Sequence, residues 1–227
     1  MGELLSFKPF CEYSPMRVYF NGFFPHWRQD GCTYFVTFRL ADSVPHKVLA
    51  EWKYDRDKWL EARGCIPTTN QSCSKILEEL SSKDRELFVR RFAGRLFRYL
   101  DRGYGECYLR DECLRQIIVD SLMFFHGERV TTGDFVIMPN HVHAVMTPLP
   151  GYELEDILHS IKSFTANEIN KVLGRTGTLW MDESFDRIVR DFEELLRTQR
   201  YIERNPAKAG LAPSHYSYRR ARYRLPT

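Results

Sequence analysis

Residues 135–146 constrain what this chain can fold into more than any other stretch. Phe135-Val136-Ile137 and Val142-His143-Ala144-Val145-Met146 are rich in β-branched and large apolar side chains, and Met138-Pro139-Asn140 interrupts them as a turn or bulge would. The window from Glu128 to Thr147 therefore predicts a strand hairpin. Within it, His141 and His143 are two residues apart. Successive side chains of a strand point to opposite faces, so both imidazoles share one face while Val142 takes the other. Two imidazoles side by side make half of a metal site. The alternative, two structural histidines in a core strand, must bear the cost of burying both rings unpaired.

The rest of the chain supplies helices around this hairpin. Thr33 to Leu40 alternates polar and large apolar residues and predicts a first strand. Val48, Leu49, Trp52, Trp59 and Leu60 are at helical spacing, a loop follows Gly64, and Leu87, Phe88, Phe92, Leu96 and Tyr99 resume the helical period up to Gly103. Leu114, Ile117, Ile118, Leu122 and Phe125 repeat it. After the hairpin, Leu154, Ile157, Leu158, Ile161, Phe164, Thr165, Ile169 and Val172 form one apolar stripe that stops at Gly174. Ser184 to Arg190 alternates again and predicts a fourth strand. Asp191, with Glu193 and Glu194 in the following turn, is an N-cap candidate for a last helix reaching Pro206. The order is strand, helices, strand, strand, helix, strand, helix. It predicts an α+β fold with an antiparallel sheet of split β-α-β (ferredoxin- or RRM-like) type, flanked by helices, with an enlarged helical first crossover at about residues 45–125. Residues 1–30 read as an N-terminal extension, 31–213 as the domain and 214–227 as a basic, aromatic tail.

At 227 residues with 43% hydrophobic content, the chain can bury a real core. No run approaches the ~18 apolar residues of a membrane span, and Met1 to Ser6 lacks the basic start of a signal peptide, so the expectation is a cytoplasmic protein with no membrane partner. The six cysteines form no Cys-x-x-Cys pair, which argues against a zinc ribbon or a thioredoxin-like motif and favours reduced thiols. Charge is uneven. The whole chain carries +3, whereas Arg197 to Thr227 alone carries eight cations against Glu203. Such clustering suits a polyanion, though a solvated basic tail would look the same.

The last helix supplies partners for the histidines. Asn205 follows Tyr201 by four residues, which stacks an amide over a phenol on one helix surface beside the core face of Phe192, Leu195, Leu196 and Ile202. Two imidazole nitrogens and an amide oxygen would suit Mg²⁺ or Mn²⁺ with open positions left for water or phosphate. A phenol next to such an ion permits phosphoryl transfer with the tyrosine as nucleophile. Two alternatives stay open here: Tyr201 as a core-rim aromatic, and Asn205, which precedes a proline, as a helix-end cap.

Met138-Pro139-Asn140-His141-Val142-His143, Gly177-Thr178-Leu179-Trp180, Ser184 to Asp191 and Tyr201 to Leu211 together resemble the REP-associated tyrosine transposases, the single-tyrosine branch of the HUH nucleases. The resemblance runs from Tyr34 to about Tyr218. It implies His141 and His143 as metal ligands, Asn205 as a third, and Tyr201 as a nucleophile that attacks single-stranded DNA beside a hairpin. It further implies a 5′-phosphotyrosine intermediate, a 3′-hydroxyl able to reverse the step, no nucleotide cofactor, and a monomer or homodimer. Two features depart from the family pattern: Met181 stands after Trp180 in place of glutamine, and the insert at 45–125 is long. Competing readings are a domesticated, catalytically idle protein that binds structured nucleic acid, and a metal phosphodiesterase that uses water. Candidate DNA contacts are Lys162, Arg197, Arg204, Lys208, Arg219, Arg220 and Arg222; His159, like the other lone histidines, reads as structural or surface, and is the first exception to look for because its helix should border the site. Rings interleaved with guanidinium groups between His215 and Arg224 would suit single-stranded nucleic acid, whereas a frayed terminus is the plain alternative.

Overall fold

The hairpin forms as expected, and every other strand of the main sheet is added around it. The computed structural model describes residues 3–20, 24–64 and 80–224. Strands β1 (Leu4–Leu5), β2 (Arg17–Phe20) and β3 (Pro25–Arg28) precede β4 (Tyr34–Arg39), helix α1 (His46–Glu61) and helix α2 (Ser82–Leu100). Helix α3 (Glu112–Phe124), the hairpin strands β5 (Val130–Ile137) and β6 (His141–Pro148), and helix α4 (Leu154–Val172) follow. The chain continues through β7 (Phe185–Ile188), α5 (Phe192–Lys208), β8 (Ser217–Arg219) and β9 (Arg222–Tyr223). The loop expected after Gly64 lies outside the described residues, as do Cys65 and Cys73. The four described cysteines are unpaired thiols.

The main sheet has the order β7-β4-β6-β5-β8, with every neighbouring pair antiparallel. Its first four strands reproduce the split β-α-β arrangement, and the α+β expectation is borne out. Alternation sends Phe35, Thr37 and His143 to one face and Tyr34, Phe38 and Val142 to the other. Helix α2 covers the first face through Phe97, whose ring lies 6.1 Å from Phe35, and α5 covers it through Tyr201. Helix α4 covers the second face: Trp180 packs on Phe38 and donates its indole N–H to Thr165 at 2.9 Å. Helix α3 shares that face, where Thr132 donates to the Leu122 carbonyl. Trp59, Phe88 and Phe92 close α1 against α2, so the long crossover has its own aromatic core joined to the sheet.

Both chain ends are built into this frame. Residues 217–219, within the expected tail, form the edge strand β8 against β5. Arg115 is 2% exposed and holds them there, donating to Ser217 Oγ and to the carbonyls of Leu109, Arg110 and Ser214. A bulge between Thr132 and Phe135 places Gly133 against the Tyr223 hydroxyl, and a Cβ there would stand 1.9 Å from that oxygen. Residues of the expected N-terminal extension form the β2–β3 hairpin, while β1 pairs with β9. Other differences are local. Phe164 and Val172, expected within the buried stripe of α4, are 53% and 62% exposed, since they lie on a flank of the helix that the sheet does not reach. Helix α5 runs past Pro206 to Lys208, because in the last turn the missing N–H removes one hydrogen bond only. No described helix is long and apolar enough to cross a membrane.

Candidate active site

The histidine strand and the last helix meet on the face covered by α2 and α5. The His141 and His143 rings are 4.6 Å apart, and the Tyr201 ring lies 5.1 Å from that of His143. The Tyr201 hydroxyl is 3.2 Å from Nε2 of His143. Both imidazoles are buried, at 1% and 0% exposure. Burial holds His141 neutral, its pKa pushed down to about 3, and drives His143 well below the ordinary range with help from His141 and Lys208. Neutral rings carry the lone pairs a cation needs.

Each ring is fixed by a neighbour. Asn140 donates its amide N–H to the Tyr104 carbonyl at 2.9 Å, which leaves its oxygen to accept from His141 Nδ1 at 2.7 Å. That places the His141 proton on Nδ1 and turns an unprotonated Nε2 inward. Thr37, paired with His143 across the β4–β6 ladder, contacts its Nδ1 at 2.7 Å in the same way. Nε2 of His141 is buried with no partner, and so are both polar atoms of the Asn205 amide. An orphaned buried polar group costs roughly 1–3 kcal/mol, so three such atoms at one site point to a bound group that would satisfy them. The Asn205 amide caps nothing. The two histidine nitrogens and this amide oxygen are the donors that could hold a cation. Among the described residues no three His, Cys, Asp or Glu side chains cluster for that purpose.

Tyr201 is set by packing. Its ring contacts Phe35 at 5.8 Å and Phe97 at 6.2 Å, edge-on and tilted respectively. Burial raises the phenol pKa well above the ordinary value, and Asp101 adds to the rise. Asp101, at the end of α2, pairs with Lys208 at the end of α5. The motifs alone did not reveal Asn140, Thr37 and Asp101 as parts of this site. Asn140, directly before the histidine pair, was the one with a visible signal. Beside Tyr201 opens a cavity of about 730 Å³, walled by α2, β7, α5 and the N-terminal arm.

The other candidates divide by place. Arg197 lines that cavity. Lys162 donates to the Asp182 carbonyl on the opposite face of the sheet, where His159 is also found, so His159 does not border Tyr201. Lys208 is paired with Asp101, Arg219 donates to the Thr132 carbonyl, and Arg220 lies 3.6 Å from Glu203. Arg204 and Arg222 are exposed.

Residues 118–205 match the family model described as transposase, IS200-like, a span that contains His141, His143 and Tyr201 and ends on Asn205. This segment is similar to the IS200-like transposases. The resemblance read from the motifs is thereby borne out. Among solved structures, a REP-associated tyrosine transposase bound to a REP hairpin is 14% identical, with 83% of this chain and 74% of that one covered at a TM-score of 0.43. A protein from Deinococcus radiodurans R1 described as a transposase by assignment is 14% identical, with 76% and 89% covered at a TM-score of 0.32. No curated protein matches the sequence.

Proposed function

We propose that this IS200-like chain cleaves and rejoins single-stranded DNA beside a hairpin, with Tyr201 as nucleophile and Mg²⁺ or Mn²⁺ held by His141, His143 and Asn205. The observation that carries this reading is the 3.2 Å contact between the phenol and a buried two-histidine pair whose other inward nitrogen is unpaired. The phenol oxygen bonds to phosphorus as the P–O3′ bond breaks. This gives a 5′-phosphotyrosine and a free 3′-hydroxyl. The phenol gives up its proton and the departing 3′ oxygen takes one up, so the step is neutral in protons. One phosphodiester replaces another, and resealing needs no nucleotide cofactor. A bound cation supplies Lewis-acid polarisation of the scissile phosphate and a positive field beside a phenol that burial makes hard to ionise. Phe35 and Phe97 hold the ring in line, and Asn140 and Thr37 keep the imidazole lone pairs directed inward.

Incubation with a hairpin-flanked single strand and Mg²⁺ or Mn²⁺ should give a protein–DNA adduct that survives denaturation and maps to Tyr201 by peptide mass. Cleavage with no adduct would instead indicate attack by water, and an intact bound hairpin would indicate a binding protein. A second expected outcome concerns the ring supports. Asn140→Ala should weaken Mn²⁺ binding roughly 10–100-fold by calorimetry. Unchanged affinity would remove Asn140 from this role.

A further inference from the structure

The cavity beside Tyr201 is strongly basic and draws on the long insert. Arg90 and Arg98 of α2 face Arg187, Arg190 and Arg197 across it, with Glu86 and Glu194 the acids on its walls. Glu194 is occupied by Arg187 at 2.8 Å and Arg190 at 3.0 Å. Arg90 and Arg98 are exposed and have no ion pair or hydrogen bond among the described residues. They are eight residues apart, two helical turns and about 12 Å along one face of α2. Gly94 lies midway, where a Cβ would meet Nη1 of Arg98 at 3.6 Å, so the backbone between the two guanidinium groups is bare. Half-buried Phe10 and Phe97 present apolar surface inside the same cavity. Arg187 carries a further sign of crowding: its Nε is buried without a partner, and Arg190 and Arg197 disfavour its charge after burial has done so.

We infer that this cavity is a binding groove for unpaired DNA, with Arg90 and Arg98 of the insert gripping two phosphates of one strand on the way to Tyr201. The inference rests on the DNA-cleaving reading above and assigns the insert a part in it. A volume of about 730 Å³ suits a short stretch of unpaired nucleotides and is too small to enclose a duplex. Aromatic surface offers stacking that every base can use, while guanidinium groups on opposite walls pair with the backbone.

The test uses the full chain carrying Tyr201→Phe, so that binding is measured without cleavage, and follows a labelled oligothymidylate by anisotropy across a salt series. Adding Arg90→Ala and Arg98→Ala should weaken binding about tenfold at low salt and reduce the salt slope by about 1.4, or about 0.7 for each phosphate no longer neutralised. Arg91→Ala, an exposed residue that lies over Phe92 outside the cavity, should change neither. Duplex DNA should bind less tightly and be insensitive to the pair. An unchanged slope in the double variant, or equal losses for duplex and single strand, would overturn the groove. Adduct formation by the unaltered chain is scored separately. If it fails while the slope falls as expected, the groove stands and the cleavage chemistry does not.

Discussion

Tyr201→Phe should abolish the covalent protein–DNA adduct, with a loss of cleavage on the order of 10⁴-fold, equivalent to about 5.4 kcal/mol of barrier. The substitution removes one atom from a ring whose packing it leaves intact. Phe35 and Phe97 contact the ring and not the hydroxyl, so a phenylalanine keeps the same surroundings. What disappears is the oxygen that stands 3.2 Å from His143 Nε2. A single neutral hydrogen bond contributes about 1 kcal/mol, so the thermal midpoint should move by a few degrees at most. Binding of oligonucleotide should be retained. That separation makes the experiment decisive: a folded, DNA-binding protein without adduct identifies the phenol as nucleophile. Adduct yield equal to that of the unaltered chain would sink the assignment, and retained cleavage without adduct would transfer the attack to water. The raised phenol pKa sharpens the expectation, because a group this hard to ionise needs a positive charge beside it, which is what the proposed cation would supply.

The separate legibility of the histidines and the tyrosine has a simple physical basis. A two-residue spacing in a strand and a four-residue spacing in a helix each fix which side chains share a face, whatever surrounds them. His141 with His143, and Tyr201 with Asn205, were therefore readable as pairs. That the pairs meet depended on the sheet order, which the alternation of strands and helices indicated. Long-range partnerships were not readable in that way. Nothing in the local sequence around Lys162 says which face of the sheet α4 covers, and the lysine ended up opposite the site. The docking of the tail depends on Arg115 reaching Ser214 and Ser217 and on Gly133 making room for Tyr223, contacts of about a hundred residues' separation. Phe164 and Val172 kept the helical period of buried neighbours although the sheet does not extend under them. The N-terminal hairpin is the clearest case. Its strands are short, and much of what anchors it is a charged network completed by a residue 158 positions later.

That network carries the largest expected effect on stability. Arg28 of β3 and Asp186 of β7 are 4% and 1% exposed at their side chains, and the guanidinium meets the carboxylate through both terminal nitrogens, one at 2.9 Å. His26 adds a contact to the same carboxylate at 2.6 Å. Burial alone would raise the pKa of Asp186, but Arg28 and His26 reverse that, so the carboxyl titrates below its ordinary value. A depressed carboxyl contributes stability that is fully present above the unfolded pKa of about 3.9 and fades as pH falls through the folded value. Near neutral pH the network is therefore at full strength. Asp186→Ala should cost about 3–4 kcal/mol, because it leaves a buried guanidinium with only the half-exposed Glu155 as carboxylate partner. For a chain of this size the thermal midpoint should fall by roughly 6–15 °C. Replacing both partners with apolar residues, Arg28→Met with Asp186→Leu, should recover most of the loss, since the desolvation cost of the ions goes with them. Denaturant unfolding of the two variants decides the matter. Equal midpoints for Asp186→Ala and the unaltered chain would show that the hairpin is held by Trp27 and its apolar neighbours alone. A recovered double variant would show that the cost of Asp186→Ala lies in the unpaired buried charge. Because Trp27 also lines the cavity beside Tyr201, Asp186→Ala should loosen oligonucleotide binding as well, through a wall that never touches the reacting atoms.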